Sequence, residues 1–363
     1  MRGNSFQGKL FGNGWANLSK LVHLDLRYNS FFNGSIPSQL FHLRNLQYLD
    51  VSCNSFHGIQ SEELGSLQNL RVLGLNSIFH DRNIPTKIPK EIWNLTKLQR
   101  LGLFGNNFFG EIPSSILNLK ELEELDLSYN KLSMEIPIDI CNLSNITYLG
   151  LTNNNLIGTI PSFIQKLTKL QSLNLESNLL IGEIPSWLFN IKDLENLLLG
   201  DNNLTWNNKA NIVTKFMLSV LSMKSCGLTG EIPYWISTLK TLMTLDLSQN
   251  QLEGMFPQWL AEMENNFYGE LPNNIGNAEE LRFLILDGNN FLGKIPKSIS
   301  KNEFAILDLS SNRFSGELNS NLFGTFMDVS SNNFSGELPT NFSQETLVLL
   351  MGENHFSGNF QEC

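Results

Sequence analysis

Positive charge is scarce in this sequence. Its 363 residues carry 25 Lys and Arg against 35 Asp and Glu, a formal net charge of -10. That balance argues against nucleic acid and anionic membrane surfaces as partners. Charge of either sign is thin, at 17% of residues, where soluble domains carry roughly 25%. Asn, Gly and Ser supply much of the polarity instead. Nowhere is there a run of about 18 apolar residues, the length a membrane span needs, and the opening stretch MRGNSFQGKLFGNG lacks the apolar segment of a secretion signal. His23, His42, His57, His80 and His355 are scattered, and neither they nor the cysteines form a pair at metal-ligand spacing. No kinase signature, phosphate-binding glycine loop or catalytic constellation is present. A binding protein rather than an enzyme, without metal or cofactor, is the expectation.

What is present is a period. Between residues 88 and 187 the dipeptide Ile-Pro ends at Pro89, Pro113, Pro137, Pro161 and Pro185, 24 residues apart each time. The frame between the prolines is L-x-x-L-x-x-L-x-L-x-x-N-x-L-x-G-x-I-P; Leu119, Leu122, Leu125, Leu127, Asn130, Leu132, Ile136 and Pro137 are one copy. A fixed period in this range marks a stacked repeat protein, in which each copy buries its apolar side against the next. The L-x-L element has strand periodicity, so Leu125 and Leu127 point inward and Asp126 outward. Stacked copies are expected to form a long parallel sheet, one short strand per repeat, with the segment after Ile-Pro returning along the opposite face. The frame's asparagine is expected to bond the backbone of the turn leaving each strand, and the glycine before Ile-Pro marks a tight backbone position.

The asparagine ladder also locates the irregularities. It runs through Asn4, Asn29 and Asn54, fails at Ile78, returns at Asn106, Asn130, Asn154, Asn178 and Asn202, and passes through Cys226 to Asn250, Asn265, Asn289, Asn312, Asn332 and Asn354. The chain therefore reads as one solenoid over 1–363 of about 14 repeats. An insertion falls at 76–88, an irregular polar segment at 203–217 and a shortened repeat at 258–272. A missing strand or a break in the stack is expected near 258–266, where the rung at Asn265 would bury Glu262. Neither end has a polar capping unit, so apolar surface is expected around Leu18, Leu21, Leu347 and Leu349. Among Cys53, Cys141 and Cys226 no disulfide is expected, because cysteines more than three repeats apart lie over ~10 Å apart at ~4.8 Å per strand.

With G-x-I-P closing the frame, the repeat resembles the leucine-rich repeat of plant extracellular receptors. The stretches LLLGDNNLTWNN and SMKSCGLTGEIPYWISTLKTLMTLDLSQNQLEGMFPQWLAEME look like segments of plant receptor-like proteins, cell-surface receptors without a kinase domain. The resemblance implies a mainly β solenoid of the α/β type, a superhelix with the parallel sheet on its concave face and turns or short 3-10 or α segments on the convex face. It implies an ectodomain, or a fragment of one, that binds a peptide, a glycan or a pathogen or plant protein. Signalling in defence or development would then run through a partner receptor kinase, with no nucleic acid involved. The parent protein would sit at the outer face of the plasma membrane or in the apoplast, although this chain encodes neither signal nor span. Two other readings stand beside it: a secreted inhibitor resembling polygalacturonase-inhibiting proteins, and a truncated product without a binding role.

Ligand contacts are expected on the exposed side of the sheet, at residues that break the polar habit of their positions. Those are Tyr48, Arg71, Arg100, Phe104, Glu123, Tyr129, Tyr148, Glu176 and Glu195, with Arg100, Phe104, Glu123, Tyr148 and Glu176 clustered in consecutive copies. The row Asp25, Asp50, Asp126, Asp246, Asp308 and Asp328 is read as a repeated solvent-facing position, not an acidic site. Sequons at Asn17, Asn33, Asn94, Asn142, Asn145, Asn203, Asn333 and Asn341 favour a glycosylated, secreted surface.

Overall fold

A computed structural model describes all residues except 1, 5, 11, 13, 32, 33, 60, 80–84, 207–217, 256, 258–279, 297, 298, 300–302, 319–321, 323, 339–343 and 359–363. Two units are distinguished by their contacts, one of Met1–Ile181 with Ile191–Asp193, the other of Gly182–Asn190 with Leu194–Cys363. Each is a solenoid of stacked repeats.

In the first unit seven strands pair in parallel and in sequence order: His23–Asp25, Tyr48–Asp50, Val72–Gly74, Arg100–Gly102, Glu124–Asp126, Tyr148–Gly150 and Ser172–Asn174. Register follows the period, with Leu101 opposite Leu125 and Leu125 opposite Leu149. The second unit repeats this with Asn196–Leu198, Val220–Ser222, Thr244–Asp246, Phe283–Ile285, Phe304–Asp308, Gly324–Asp328 and Val348–Leu350. As expected, Leu125 and Leu127 are fully buried while Asp126 is partly exposed. Each such leucine contributes about 1.5–3 kcal/mol of burial, the same quantity in copy after copy.

The return segments are short 3-10 helices, and the proline sets them up. Pro113 is extended (φ -76°, ψ 152°) and its carbonyl accepts from Ile116 N at 3.0 Å, opening the helix Ser114–Asn118. Ile138–Asn142 and Ser162–Lys166 begin the same way after Pro137 and Pro161. The ring fixes φ and the missing N–H is not needed there.

Three features were not anticipated. A second parallel ladder runs through the N-x-L-x-G element. It joins Phe109–Gly110, Lys131–Met134 and Asn155–Leu156 in the first unit, and six strands from Thr229–Gly230 to His355–Ser357 in the second. The glycine makes it possible: Gly254 has φ +97°, and a Cβ there would come within 3.0 Å of the Glu231 side chain lying across it. Met134 takes that position with φ +72° and is 55% exposed. A bulky residue in this region is strained, and its side chain buries little to offset the strain. Met134→Gly is therefore expected to stabilise the chain by roughly 0.5–1 kcal/mol, the strain relieved exceeding the entropy cost of a new glycine. A higher denaturant midpoint at unchanged slope is the sign of it; an unchanged or lower midpoint would contradict it.

Second, the asparagine works mainly between repeats. Asn130 Nδ2 donates to Leu127 O (2.9 Å) and Ser128 O (3.1 Å) in its own copy, and to Leu103 O (2.9 Å) in the one before. Its Oδ1 accepts from Asn106 N (3.2 Å) and Phe108 N (2.9 Å), again in the preceding copy. Asn154, Asn250, Asn289, Asn312 and Asn332 likewise bond carbonyls in two copies.

Third, the residue before each rung is left-handed. Tyr28, Cys53, Ser77, Tyr129, Asn153, Ser177, Asp201, Ser225, Gln249, Ser311, Ser331 and Glu353 have φ between 47° and 57°, and Gly105 and Gly288 lie near them at 71° and 62°.

At the insertion Ile78 stands in for asparagine, yet its N–H still donates to Asn106 Oδ1 (2.9 Å), as Asn106 N does to Asn130 Oδ1. The shortened repeat at 258–272, the break expected near 258–266 and most of the segment at 203–217 lie outside the described residues. Leu18 and Leu347 are exposed and Leu21 and Leu349 partly so. No disulfide joins Cys53, Cys141 and Cys226. No helix among the described residues is long and apolar enough to cross a membrane.

Candidate ligand-recognition face

Register sorts the predicted contact residues into columns on the exposed side of the strands. Tyr48, Arg100 and Tyr148 share the first strand position. Arg71, Glu123 and Glu195 immediately precede it, Phe104 and Glu176 follow four residues after it, and Tyr129 occupies the left-handed turn. All of these belong to the first unit except Glu195, an exposed residue of the second.

The structure brings several together. Arg100 Nε lies 3.2 Å from Glu124 Oε1, both side chains about half exposed, and Glu124 is opposite Tyr148 in the next strand. Arg100, Glu124 and Tyr148 thus form one row across three repeats. An exposed pair of this kind adds little stability, ~0–1 kcal/mol, so both groups are available to a partner. The Phe104 and Tyr129 rings meet at 4.8 Å, with Tyr129 52% exposed. The Tyr148 phenol lies across Gly150, where a Cβ would approach its Oη to 2.9 Å, and accepts from Asn174 Nδ2 at 3.4 Å. Burial, then the nearby Asp126, push this phenol above its ordinary range, so it is protonated at neutral pH. Arg71 and Glu123 flank the row, one exposed and one half-buried.

Tyr48 belongs to a separate knot. Its ring stacks on His23 at 4.0 Å, and its Oη lies 3.5 Å from Asp50 Oδ2. Arg27 bonds Asp25 at 2.7 Å and approaches Asp50 at 3.5 Å. The Arg27 hydrogen bond holds Asp25 below the usual carboxylate range.

The aspartate row is locally satisfied. In Asp126, Asp246, Asp308 and Asp328 one carboxylate oxygen accepts from the backbone N–H two residues on, at 2.9–3.0 Å. Burial raises Asp308 above its ordinary range. Among the described residues no group of three or more His, Cys, Asp or Glu is placed to hold a metal ion.

Sequence reading missed Glu124 and Asn174. The signal was available, since residues 100, 124 and 148 are one period apart and share a position, but Glu124 looked ordinary beside Glu123. Of the sequons, Asn17, Asn94, Asn142, Asn203 and Asn333 are exposed. Asn145 is engaged on both sides, donating to Lys120 O (3.1 Å) and accepting from Lys169 Nζ (2.9 Å). Asn33 and Asn341 lie outside the described residues.

The repeats have counterparts among known proteins. The Leucine Rich Repeat profile matches residues 20–43, 45–67, 97–119, 169–191, 241–263 and 280–302, and a two-copy Leucine Rich repeats profile matches 120–166, together just over half of the chain. The chain is a leucine-rich-repeat protein. Receptor-like protein 41 of Arabidopsis thaliana is 41% identical over 118 residues, 32% of this chain and 13% of that relative. Rat lumican is 33% identical over 117 residues, 32% of each protein. The alignments with the plant relatives thus span about an eighth of those proteins' length. Solved structures match far more of this leucine-rich-repeat chain. A plant peptide hormone receptor, RGFR1, in complex with RGF2 covers 98% of it at a TM-score of 0.70 and 29% identity, using 62% of that chain. A TDR receptor gives 98%, 0.74 and 28%, using 63%. The Arabidopsis receptor kinase HAESA, in complex with the peptide hormone IDA and the co-receptor SERK1, gives 97%, 0.56 and 26%, using 73%.

Proposed function

We propose that the chain is the ligand-recognition part of an extracellular plant receptor-like protein. In this reading, the exposed strand face around Arg100, Phe104, Glu124, Tyr129 and Tyr148 contacts a peptide or protein ligand. The observation that carries the reading is the likeness, along nearly the whole chain, to the leucine-rich-repeat ectodomain of a receptor kinase in complex with a peptide hormone ligand. The row itself supports it. Charged and aromatic groups stand side by side in it, and such anchors dominate binding energy where they occur. Signalling, in defence or development, then depends on a kinase-bearing co-receptor. Exposed sequons at Asn17, Asn94, Asn142, Asn203 and Asn333 carry the glycans of a secreted surface.

Panning the folded chain against a phage-displayed library of random linear peptides tests the face. Peptides that enrich are expected to lose about tenfold or more in affinity with Arg100→Glu or Phe104→Ala. Lys166→Ala, on a return segment, is expected to leave them unchanged. Enriched peptides indifferent to both face variants would sink the reading.

A further inference from the structure

The insertion leaves a cavity well away from the strand face. Val72 pairs with Arg100, 28 residues on, whereas Arg100 pairs with Glu124, 24 on. The extra length changes the second ladder. One copy supplies two partners there: Phe79 bridges Phe56, and Thr86 bridges Phe108. Phe109 N donates to Thr86 O at 3.0 Å. In a regular copy one residue would serve both neighbours. Here the rung is split between residues seven apart.

The resulting cavity measures about 490 Å³, with Ile59, Phe79, Ile88 and Phe108 among its apolar lining and Lys87 and Lys90 among its polar lining. Phe79 packs edge-on against Phe108 at 5.8 Å, which fixes one wall. Lys87 Nζ stands 5.8 Å from the Phe109 ring centre. Both lysines are exposed, and neither is ion-paired among the described residues. Among the described lining residues Glu91 is the one carboxylate, set against the two lysines. In the same wall the Thr86 hydroxyl is buried without a hydrogen-bond partner. A cavity of this size, apolar with a few polar groups, is the usual form of a small-ligand site. Departures from a repeat's own frame are also where function tends to override regularity.

We propose that this cavity binds a ligand that joins an apolar, aromatic-sized group to a carboxylate. The apolar group lies against Phe79, Ile88 and Phe108, and the carboxylate faces Lys87 and Lys90. Two sources carry this chemistry, the C-terminal residue of a peptide and a free aryl carboxylic acid. The proposal does not rest on the reading of the strand face.

Calorimetric titration of the full chain with N-acetylphenylalanine tests it, with N-acetylphenylalanine amide as the uncharged control. The acid is expected to bind saturably and the amide at least about tenfold more weakly, since only the acid gains the two ammonium groups. The double change Lys87→Glu with Lys90→Glu is expected to cost the acid tenfold or more while the thermal midpoint stays put. If that pair disturbs folding, Lys90→Gln gives the same direction with less perturbation. Glu231→Ala, in a separate cavity of the second unit, should leave binding of the acid unchanged. Tighter binding of Gly-Ser-Gly-Phe than of phenylacetate assigns the site to a peptide terminus, and the reverse order assigns it to a small acid; both support the class. Absence of saturable binding by every carboxylate, equal binding of the amide, or indifference to the lysine changes overturns the proposal.

Discussion

Asn130→Ala is expected to lower the stability of the chain by roughly 3–5 kcal/mol. The side chain makes five hydrogen bonds, three of them reaching the preceding repeat. Asn130 and the backbone around it are buried. Removing the amide orphans two N–H groups, those of Asn106 and Phe108, and takes one of two donors from each of three carbonyls, which keep Asn106 Nδ2, Asn154 Nδ2 and Gly105 N. Each unsatisfied buried group costs about 1–3 kcal/mol, and water entering the small space left behind recovers part of the sum. Asn130→Asp keeps the acceptor but turns three donations into contacts between a carboxylate and carbonyls, so it is expected to be no milder. Denaturant titration at neutral pH reads both. A loss under about 1 kcal/mol for the alanine variant would mean the bonds are replaceable by solvent.

The second large effect concerns the other unit. Phe314 is fully buried between Phe291 at 5.9 Å and Phe334 at 6.3 Å, and Phe334 stacks in turn on Phe356. Phe314→Ala removes the middle of this column. The expected loss is about 3–5 kcal/mol, the range for truncating a buried phenylalanine. Phe314→Leu is expected to cost less than about 1.5 kcal/mol, because Leu132 and Leu156 fill the same frame position, fully buried, in other copies. Equal losses for the two variants would show that ring stacking rather than volume decides the site.

Much of the fold was legible because each copy restates the same physics. The spacing of Leu122, Leu125 and Leu127 set strand, face and core, and the proline at the return predicted where the chain turns. From Arg100 to Ser172 the sheet register followed from the period alone. What could not be read lies between copies. Nothing in a single frame shows that Asn130 bonds backbone 22 to 27 residues earlier, or that Glu231 lies across Gly254. The second ladder depends on those cross-copy contacts and was missed with them. At the candidate face, position was legible but partnership was not. Arg100 and Tyr148 were found as exceptions to a polar habit, whereas Glu124, which conforms to it, was recognised only once the strands lay side by side.

The left-handed column before the rungs has a wider consequence. Its backbone is the same in copy after copy, yet it holds Tyr, Cys, Ser, Gly, Asn, Asp, Gln and Glu. Threonine, valine and isoleucine do not occur there among the described residues, as their branched Cβ would resist that conformation. Except at Ile78 and Cys226, an asparagine at the next residue clamps the turn whichever other side chain is present. Variation is thereby uncoupled from folding at this column, so a lineage can rewrite one letter per repeat on an unchanging page.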